Sequence, residues 1–430
     1  MSTVINKIAN YIEKDGDLAK YVSILFIATL LGGVCNYLYQ IYMGIALGPE
    51  AYGVFGALFA IFYIIFIVGG TIQTSITRFV SKLKAEDDYG TMGFLLSGMT
   101  KRMALLGVLA FFIFVLASGH IAAFLRLERK EPVIIVGATL LFSLLLPVSL
   151  GTLQGLQRFV HLGVNGVLNA SLKLSFGILL VSAGFGVSGA LGAVVIASVF
   201  ALGAAFIPVR SVFNQKGSDF NFWGLYKYTF PVMVAMFCYT VPSNLDVIIV
   251  KHYFEAYDAG LYTATSVLGK VVLFLPGAVT AVMFPKVSEL HAQNKVTVSL
   301  LNRCLMYTGI VSGAAAIGCL LFPSFVVNIV FGAEYIGAAP LIRLYGIAMF
   351  FFCLTVVLMY YNLAVHSLKY VYIFVFFTFL LIGLLSVFHS SMIEMITILL
   401  VTNVALFLSS YFYTTFLPLW GSAPRPRKPL

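Results

Sequence analysis

The chain alternates long apolar runs with short polar connectors. A helix satisfies its own backbone hydrogen bonds and needs about 20 apolar residues to cross a hydrocarbon core of roughly 30 Å. An apolar run of that length therefore predicts one membrane span. Twelve runs qualify, at approximately 21–46, 53–77, 103–125, 133–153, 159–183, 187–209, 228–250, 259–284, 304–329, 338–363, 370–388 and 392–417. The pattern predicts an all-α polytopic membrane protein with about 12 transmembrane helices.

The same pattern excludes other architectures. The runs are solidly apolar, so they lack the alternation of a transmembrane β-barrel. The connectors at 82–92 and 210–221 are among the longest, which leaves no room for a soluble domain between runs. The first 20 residues lack the features of a signal peptide, so the first run is expected to remain a span. With 61% hydrophobic and 10% charged residues, the composition agrees with a membrane protein.

The net charge of +10 arises from basic residues that cluster on one side of the predicted spans. With a cytoplasmic N-terminus, 19 of the 26 Lys and Arg fall on the inner side and four on the outer side, and the other three lie inside runs. This positive-inside bias predicts a multi-pass protein of the cell membrane with both termini in the cytoplasm, and it argues against a nucleic-acid partner. The outer basic cluster at 126–130 is the exception.

An internal repeat relates the two halves. The motif "EAY" at 50–52 recurs at 255–257, and a shift of 207 gives six identities over 31 positions, among them Gly53 with Gly260 and Gly70 with Gly277. Such duplications are common in transporters, with the substrate path between the halves and alternating access by rocking. The predicted organisation is a cytoplasmic segment at 1–20, six-helix bundles at 21–209 and 228–417, a cytoplasmic linker at 210–227 and a cytoplasmic tail at 418–430.

Four stretches carry a family resemblance: "LGPEAYGVFGALFAI…GGTIQTSITRFVSKL", "LQGLQRFVHLGVNGVLNASLKL", "NLDVIIVKHYFEAYDAGLYTATSVLGK" and "FGAEYIGAAPLIRLY". They resemble the polysaccharide transporter family of lipid-linked oligosaccharide flippases, whose superfamily includes multidrug and toxin extruders and the lipid II flippase. The resemblance implies two bundles related by pseudo-two-fold symmetry and a flippase rather than an enzyme. It also implies a polyprenyl-(pyro)phosphate-linked oligosaccharide as substrate, which would cross from the cytoplasmic to the outer leaflet.

A flippase of this kind needs a wet, cationic cavity at mid-membrane, because the phosphate and sugar lose their water in bare lipid. Lys173 and Lys270 lie deep within apolar runs, one in each half, and are the principal candidates for binding the headgroup. The alternative is that each lysine satisfies groups within its own bundle. Arg78 and Arg343 are further candidates near the ends of spans, where an interfacial or positive-inside role is also expected.

A coupling-ion or proton site is the second candidate feature. Asp246, near Asn244 and after Pro242, is a carboxylate well inside an apolar run, and carbonyl groups freed by proline can hold Na⁺ or a proton together with it. An ion pair or a helix cap is the structural alternative. Pro231, Pro242 and Pro276 are candidate hinges of gating helices, and Tyr37 and Tyr39 could stack on sugar rings or belong to an interfacial belt.

Three competing functions were weighed. An ATP-driven pump is disfavoured, because the chain lacks a phosphate-binding loop. The stretch "GLYTATSVLGK" has the wrong spacing for one. A membrane polymerase or glycosyltransferase would need acidic pairs or a large outer loop. The sequence shows no nucleophile arrangement, and its scattered histidines lack metal-ligand spacing. An ion-coupled exporter of drugs or organic cations is the closest rival. We expect no cofactor beyond Na⁺ or H⁺, a protein that works as a monomer in the bilayer, and polysaccharide synthesis enzymes as candidate partners.

Overall fold

A computed structural model describes residues 2–213, 215, 219–293, 295, 297–365 and 370–421. This part of the chain is almost entirely helical and contains no strand. The helices are α1 (Ser2–Ala85), α2 (Tyr89–Phe124), α3 (Glu131–Ser143), α4 (Leu146–Gly155), α5 (Phe159–Leu180), α6 (Gly186–Phe206), α7 (Arg210–Phe213), α8 (Phe222–Thr240), α9 (Leu245–Tyr253), α10 (Ala256–Ala292), α11 (Val298–Leu321), α12 (Pro323–Phe331), α13 (Ala339–Ala364), α14 (Tyr370–Val387) and α15 (Met392–Gly421).

Within the described ranges, eight helical segments are long and apolar enough to cross a membrane, and α8 with α9 forms a ninth if this bent pair is one span. Two of the eight, Ile24–Ala85 with 62 residues and Phe159–Phe213 with 55, are far longer than the roughly 20 residues of one crossing. Each therefore holds two crossings, and α10 carries the predicted eighth run. The all-α polytopic class predicted from the apolar runs is confirmed.

The long helix α1 turns back on itself at Gly48. This residue has φ 72° and ψ 168°, a backbone conformation available almost only to glycine. The rings of Tyr39 and Phe55 lie 5.9 Å apart, whereas 16 residues of straight helix would separate them by about 24 Å. We call the part before Gly48 α1a and the part after it α1b.

A second helical hairpin joins α5 to α6. Gly184 and Gly186 at the turn have positive φ angles of 89° and 51°. The rings of Phe176 and Phe200 stack with their centroids 6.4 Å apart, which places the two helices side by side. Both hairpins thus depend on glycine where the chain reverses.

The chain forms two compact units, residues 1–236 and 237–430, and the division falls within α8. In the first unit, α1a and α5 run parallel because small residues let them approach closely. A Cβ added to Gly163 would lie 2.8 Å from Ala28 Cβ, and one added to Gly177 would lie 2.7 Å from the Tyr39 ring. Lys173 is consequently held against α1a between these two contacts.

In the second unit, α13 is buried along most of its length and packs against α10, α11 and α15. Gly269 on α10 allows the closest approach, since a Cβ there would lie 2.3 Å from the Tyr345 ring. The absence of a side chain at this position lets the Tyr345 ring lie directly against α10.

Several details differ from the sequence-based expectation. The predicted connector at 82–92 shrinks to three residues, because α1 runs to Ala85 and α2 begins at Tyr89. Asp88 caps α2, and hydrogen bonds from the Thr91 hydroxyl and backbone N–H lower the pKa of its carboxyl group. The predicted ninth run at 304–329 is divided between α11 and α12, since Phe322 leaves the helical conformation and Pro323 starts a new helix.

The predicted domain boundaries stay predictions. The segment at 1–20 lies on α1, and the linker at 210–227 contains α7 and the start of α8. Residues 214 and 216–218 of the linker and residues 422–430 of the tail lie outside the described part.

Candidate functional site

Lys173 occupies a buried position in the first unit. It lies fourteen residues into α5, about 21 Å along the helix, and its side chain is only 7% exposed. Its Nζ donates a hydrogen bond to Asn36 Oδ1 on α1a. The same ammonium lies 4.9 Å from the centroid of the Tyr39 ring and 5.8 Å from that of Phe59. The parallel packing of α1a and α5 brings these side chains together.

The charge of Lys173 is only partly compensated. Aromatic faces attract a cation through their quadrupoles, and the Asn36 oxygen accepts one hydrogen bond. An ammonium has three N–H groups, so two remain for another ligand. In the described part of the chain, no carboxylate forms an ion pair with this lysine. Its hydrogen bond to Asn36 lies within its own unit, so the choice between headgroup binding and satisfaction of groups within the bundle stays a prediction.

Tyr39 holds this site in place. Its ring is completely buried, packs edge-on against Phe55, and its hydroxyl donates to the Ala190 carbonyl at 2.7 Å. With both ring faces covered, it positions the lysine and has no face left for a sugar, which corrects the stacking role considered for it. Tyr37 is half-buried, and its stacking role stays a prediction.

The second unit contains a buried carboxylate beside a broken helix. Helices α8 and α9 meet at an angle of 49°, and Pro242 lies in the turn between them. Asp246, in the first turn of α9, is 1% exposed. Its Oδ2 accepts hydrogen bonds from the hydroxyls of Tyr262 at 3.1 Å and Tyr345 at 2.9 Å. Its Oδ1 is buried and has no hydrogen-bond partner among the residues that the structure describes.

Lys270 lies next to this carboxylate. It is half-buried, and its Nζ donates to Asn244 Oδ1 at 3.2 Å, while its charge attracts that of Asp246. Tyr262, Ser266 and Lys270 follow one another at intervals of four along α10 and so share one face of the helix. This spacing was the signal in the sequence for a polar stripe that the analysis of single residues did not recognise.

The remaining predicted residues are more dispersed. Arg78 is exposed on α1b with its guanidinium 4.2 Å from the centroid of the Tyr228 ring. Arg343 is exposed in the second turn of α13, as an interfacial residue would be. Pro231 lies inside α8 and is exposed. Pro276 lies within α10, but its side chain falls outside the described part.

The structure adds an amide pair that sequence reasoning missed. Gln73 Nε2 on α1b donates to Gln154 Oε1 on α4 at 3.3 Å. The Thr77 hydroxyl donates to the Gln73 carbonyl at 2.8 Å and lies 3.3 Å from the same Gln154 oxygen. The two glutamines are 81 positions apart, and neither carries a signal by itself.

Comparison with known proteins assigns the family. A model described as polysaccharide biosynthesis protein matches residues 46–340, well over half of the 430 residues. The chain belongs to this family. A curated relative, the uncharacterized membrane protein MJ1375 of Methanocaldococcus jannaschii, is 24% identical over 309 residues, which cover 67% of this chain and 70% of the relative.

Solved structures identify the fold. An inward-facing multidrug resistance MATE family transporter of the MOP superfamily matches with a TM-score of 0.75 at 14% identity, covering 90% of this chain and 96% of the other. The lipid II flippase MurJ in an inward closed conformation matches with a TM-score of 0.71 at 16% identity, covering 92% and 87%. The resemblance noted from the sequence is confirmed, and neither of these structures is of an enzyme. The chain is a multi-pass membrane protein of polysaccharide biosynthesis with a transporter fold.

Proposed function

We propose that this protein is a flippase for a polyprenyl-(pyro)phosphate-linked oligosaccharide. It moves the substrate from the cytoplasmic to the outer leaflet of the cell membrane by alternating access, with both of its termini in the cytoplasm. The translocated glycan then serves the assembly of a cell-surface polysaccharide or glycan. Family membership and a fold shared with a lipid II flippase support this proposal.

The observation that carries the proposal is the incompletely paired cation at Lys173. A charged side chain deep in a membrane span costs roughly 2.5–3.5 kcal/mol on insertion scales, so such residues are rare unless function requires them. Here the ammonium is 7% exposed and held by one amide oxygen and two rings. A phosphate oxygen would supply the missing acceptor and the missing negative charge.

The second unit contributes a different chemistry. Lys270 adds a second cation, and Asp246 presents a buried carboxylate oxygen without a hydrogen-bond partner. A proton or Na⁺ would satisfy that oxygen, together with the Asn244 side chain at the break between α8 and α9. We therefore assign headgroup binding to the lysines and ion coupling to Asp246.

A cation antiporter is the second candidate function. Asp246 favours it, because a buried carboxylate is the group that would attract an organic cation, and the MATE transporter shares the fold. Lys173 opposes it, since a buried ammonium repels a cationic substrate. The two functions therefore make opposite predictions for the charge of the transported molecule.

The test is a transport assay with the purified full-length protein in liposomes. A fluorescent undecaprenyl-pyrophosphate-linked sugar should appear in the opposite leaflet, and a cationic dye should not be transported. Lys82→Met changes an exposed residue whose ammonium lies 3.8 Å from Glu86. It is the matched control for Lys173→Met and should transport normally. Transport of the dye without the lipid would assign the antiporter function instead.

A further inference from the structure

The seam between α1b and α4 is exceptionally close. A Cβ added to Gly151 would lie 2.7 Å from the Gln73 carbonyl oxygen, and one added to Gly155 would lie 2.7 Å from Val80 Cβ. At this separation the Thr77 hydroxyl reaches the Gly151 carbonyl at 3.3 Å. Two glycines four residues apart are a common means of bringing membrane helices together.

The amide pair lies on this seam, and the hydrogen bond between the two side chains uses one polar group of each. Gln154 Oε1 accepts from Gln73 Nε2, which orients the two amides relative to each other. Within the described chain, Gln154 Nε2 and Gln73 Oε1 have no partner, and both side chains are half-buried. The Gln154 amide nitrogen is thus left as a donor and the Gln73 amide oxygen as an acceptor.

The exposed face of α1b beside this pair is polar. Thr74 and Arg78 are exposed one helical turn apart, and Ser81 is exposed in the next turn. The exposed face of α2 in the same unit is apolar instead, with Leu105 71% and Leu116 81% exposed. Because polar groups in contact with hydrocarbon are costly, the α1b face belongs against water or a polar ligand, while the α2 face suits lipid.

Arg78 completes the cluster. Its guanidinium packs over the Tyr228 ring at 4.2 Å, which restricts its position and leaves its N–H edges available. Packing on a ring orients an arginine as a planar donor, and its five N–H groups suit several oxygen atoms at once.

We propose that Gln73, Gln154, Thr74 and Arg78 bind the carbohydrate part of the lipid-linked substrate. Each sugar hydroxyl both donates and accepts, so neighbouring hydroxyls match the free acceptor of Gln73 and the free donor of Gln154. The cluster carries one charge and several neutral polar groups, which suits a glycan better than a pyrophosphate. The inference rests on the flippase function proposed above and divides the substrate between this cluster and the deep lysines.

The experiment measures binding to the full-length protein in nanodiscs with two defined probes. One is undecaprenyl pyrophosphate, and the other is undecaprenyl pyrophosphate that carries an N-acetylhexosamine disaccharide. The wild type should bind the glycosylated probe about tenfold more tightly, equivalent to roughly 1.4 kcal/mol. Gln154→Met should remove most of this preference and leave the affinity for the bare lipid unchanged.

Two further variants and a control sharpen the result. Gln154→Glu keeps the size of the side chain and its acceptor but loses the donor, so it should reduce the preference in a folded protein, as should Gln73→Met. Gln157→Met, at an exposed residue just beyond α4, is the matched control and should bind both probes like the wild type.

The outcomes separate this inference from the proposed function. If both probes bind and the glutamine variants keep the wild-type preference, the carbohydrate site is wrong and the flippase function stands. Equal loss of both probes with a lower melting temperature would mean that the amides only join two helices, which also overturns the inference. A wild type that binds neither probe would overturn both proposals.

Discussion

The two units hold their deep lysines in opposite ways. In the first unit, Lys173 is almost fully buried among two aromatic rings and one amide oxygen, and no carboxylate of the described residues contacts it. In the second unit, Lys270 is only half-buried, bonds to Asn244, and lies near the buried charge of Asp246. One site therefore has a net positive charge, while the other is close to neutral.

The repeat predicted from the sequence aligns residues of the two halves whose side chains differ in chemistry. With the shift of 207 that aligns the repeat, Lys270 corresponds to Tyr63 and Tyr262 corresponds to Phe55, so neither polar residue has a counterpart of the same kind. The chain break after the first span is also built differently, from Gly48 in one half and from extended Phe254 in the other. The two units therefore differ in charge, with a lysine lacking a carboxylate partner in the described part of the first and a lysine near a carboxylate in the second.

The largest expected effect comes from removing the two lysines one at a time. Lys173→Met should lower lipid flipping by at least about tenfold, the consequence of losing roughly 1.4 kcal/mol of headgroup binding. It should also raise the melting temperature by roughly 2–4 °C, because a buried charge without a counter-ion is replaced by an apolar side chain.

Lys270→Met should reduce flipping less and lower the melting temperature, because Asp246 loses its nearby positive charge. Flipping rates in liposomes and thermal unfolding in detergent test both signs. Unchanged flipping in folded Lys173→Met would remove the headgroup assignment, and a stability change of the same sign in both variants would contradict the contrast between the sites.

A smaller effect on rate but a complete change in ion dependence is expected for Asp246→Asn. The amide keeps an oxygen for the hydroxyls of Tyr262 and Tyr345 but cannot take up a proton or neutralise Na⁺. Flipping measured against pH and Na⁺ gradients should become independent of both. Tyr345→Phe keeps the carboxylate and serves as the control, with its ion dependence retained. Full ion dependence in Asp246→Asn would exclude this residue as the coupling site.

The smallest effect concerns the two chain breaks. Gly48→Ala should cost about 1–3 kcal/mol, because φ 72° with ψ 168° is strained for any residue with a side chain. Phe254→Ala should leave the backbone unstrained, since φ −102° with ψ 166° is an ordinary extended conformation. Folded yield and melting temperature would show the difference, and equal tolerance at both positions would contradict it.

The sequence predicted the helical framework well because the length of an apolar run is a local signal. The orientation drawn from the basic residues stays a prediction. Each of the twelve runs is mainly helical within the described ranges, with a break inside three of them, at 133–153, 228–250 and 304–329, and the family resemblance was confirmed. The side-chain contacts at the sites could not be predicted from the sequence. Lys173 and Asn36 are 137 positions apart, and the hydrogen bond from Tyr345 to Asp246 spans 99, so only helix packing reveals them.

The glycine seam of α1b and α4 has a mechanical consequence. The close contacts of Gly151 with the Gln73 carbonyl and of Gly155 with the Val80 side chain leave little room for one helix to slide along the other. The two helices should therefore travel as one rigid body through every step of the cycle. A ligand bound by both Gln73 and Gln154 would then keep both contacts while these helices move.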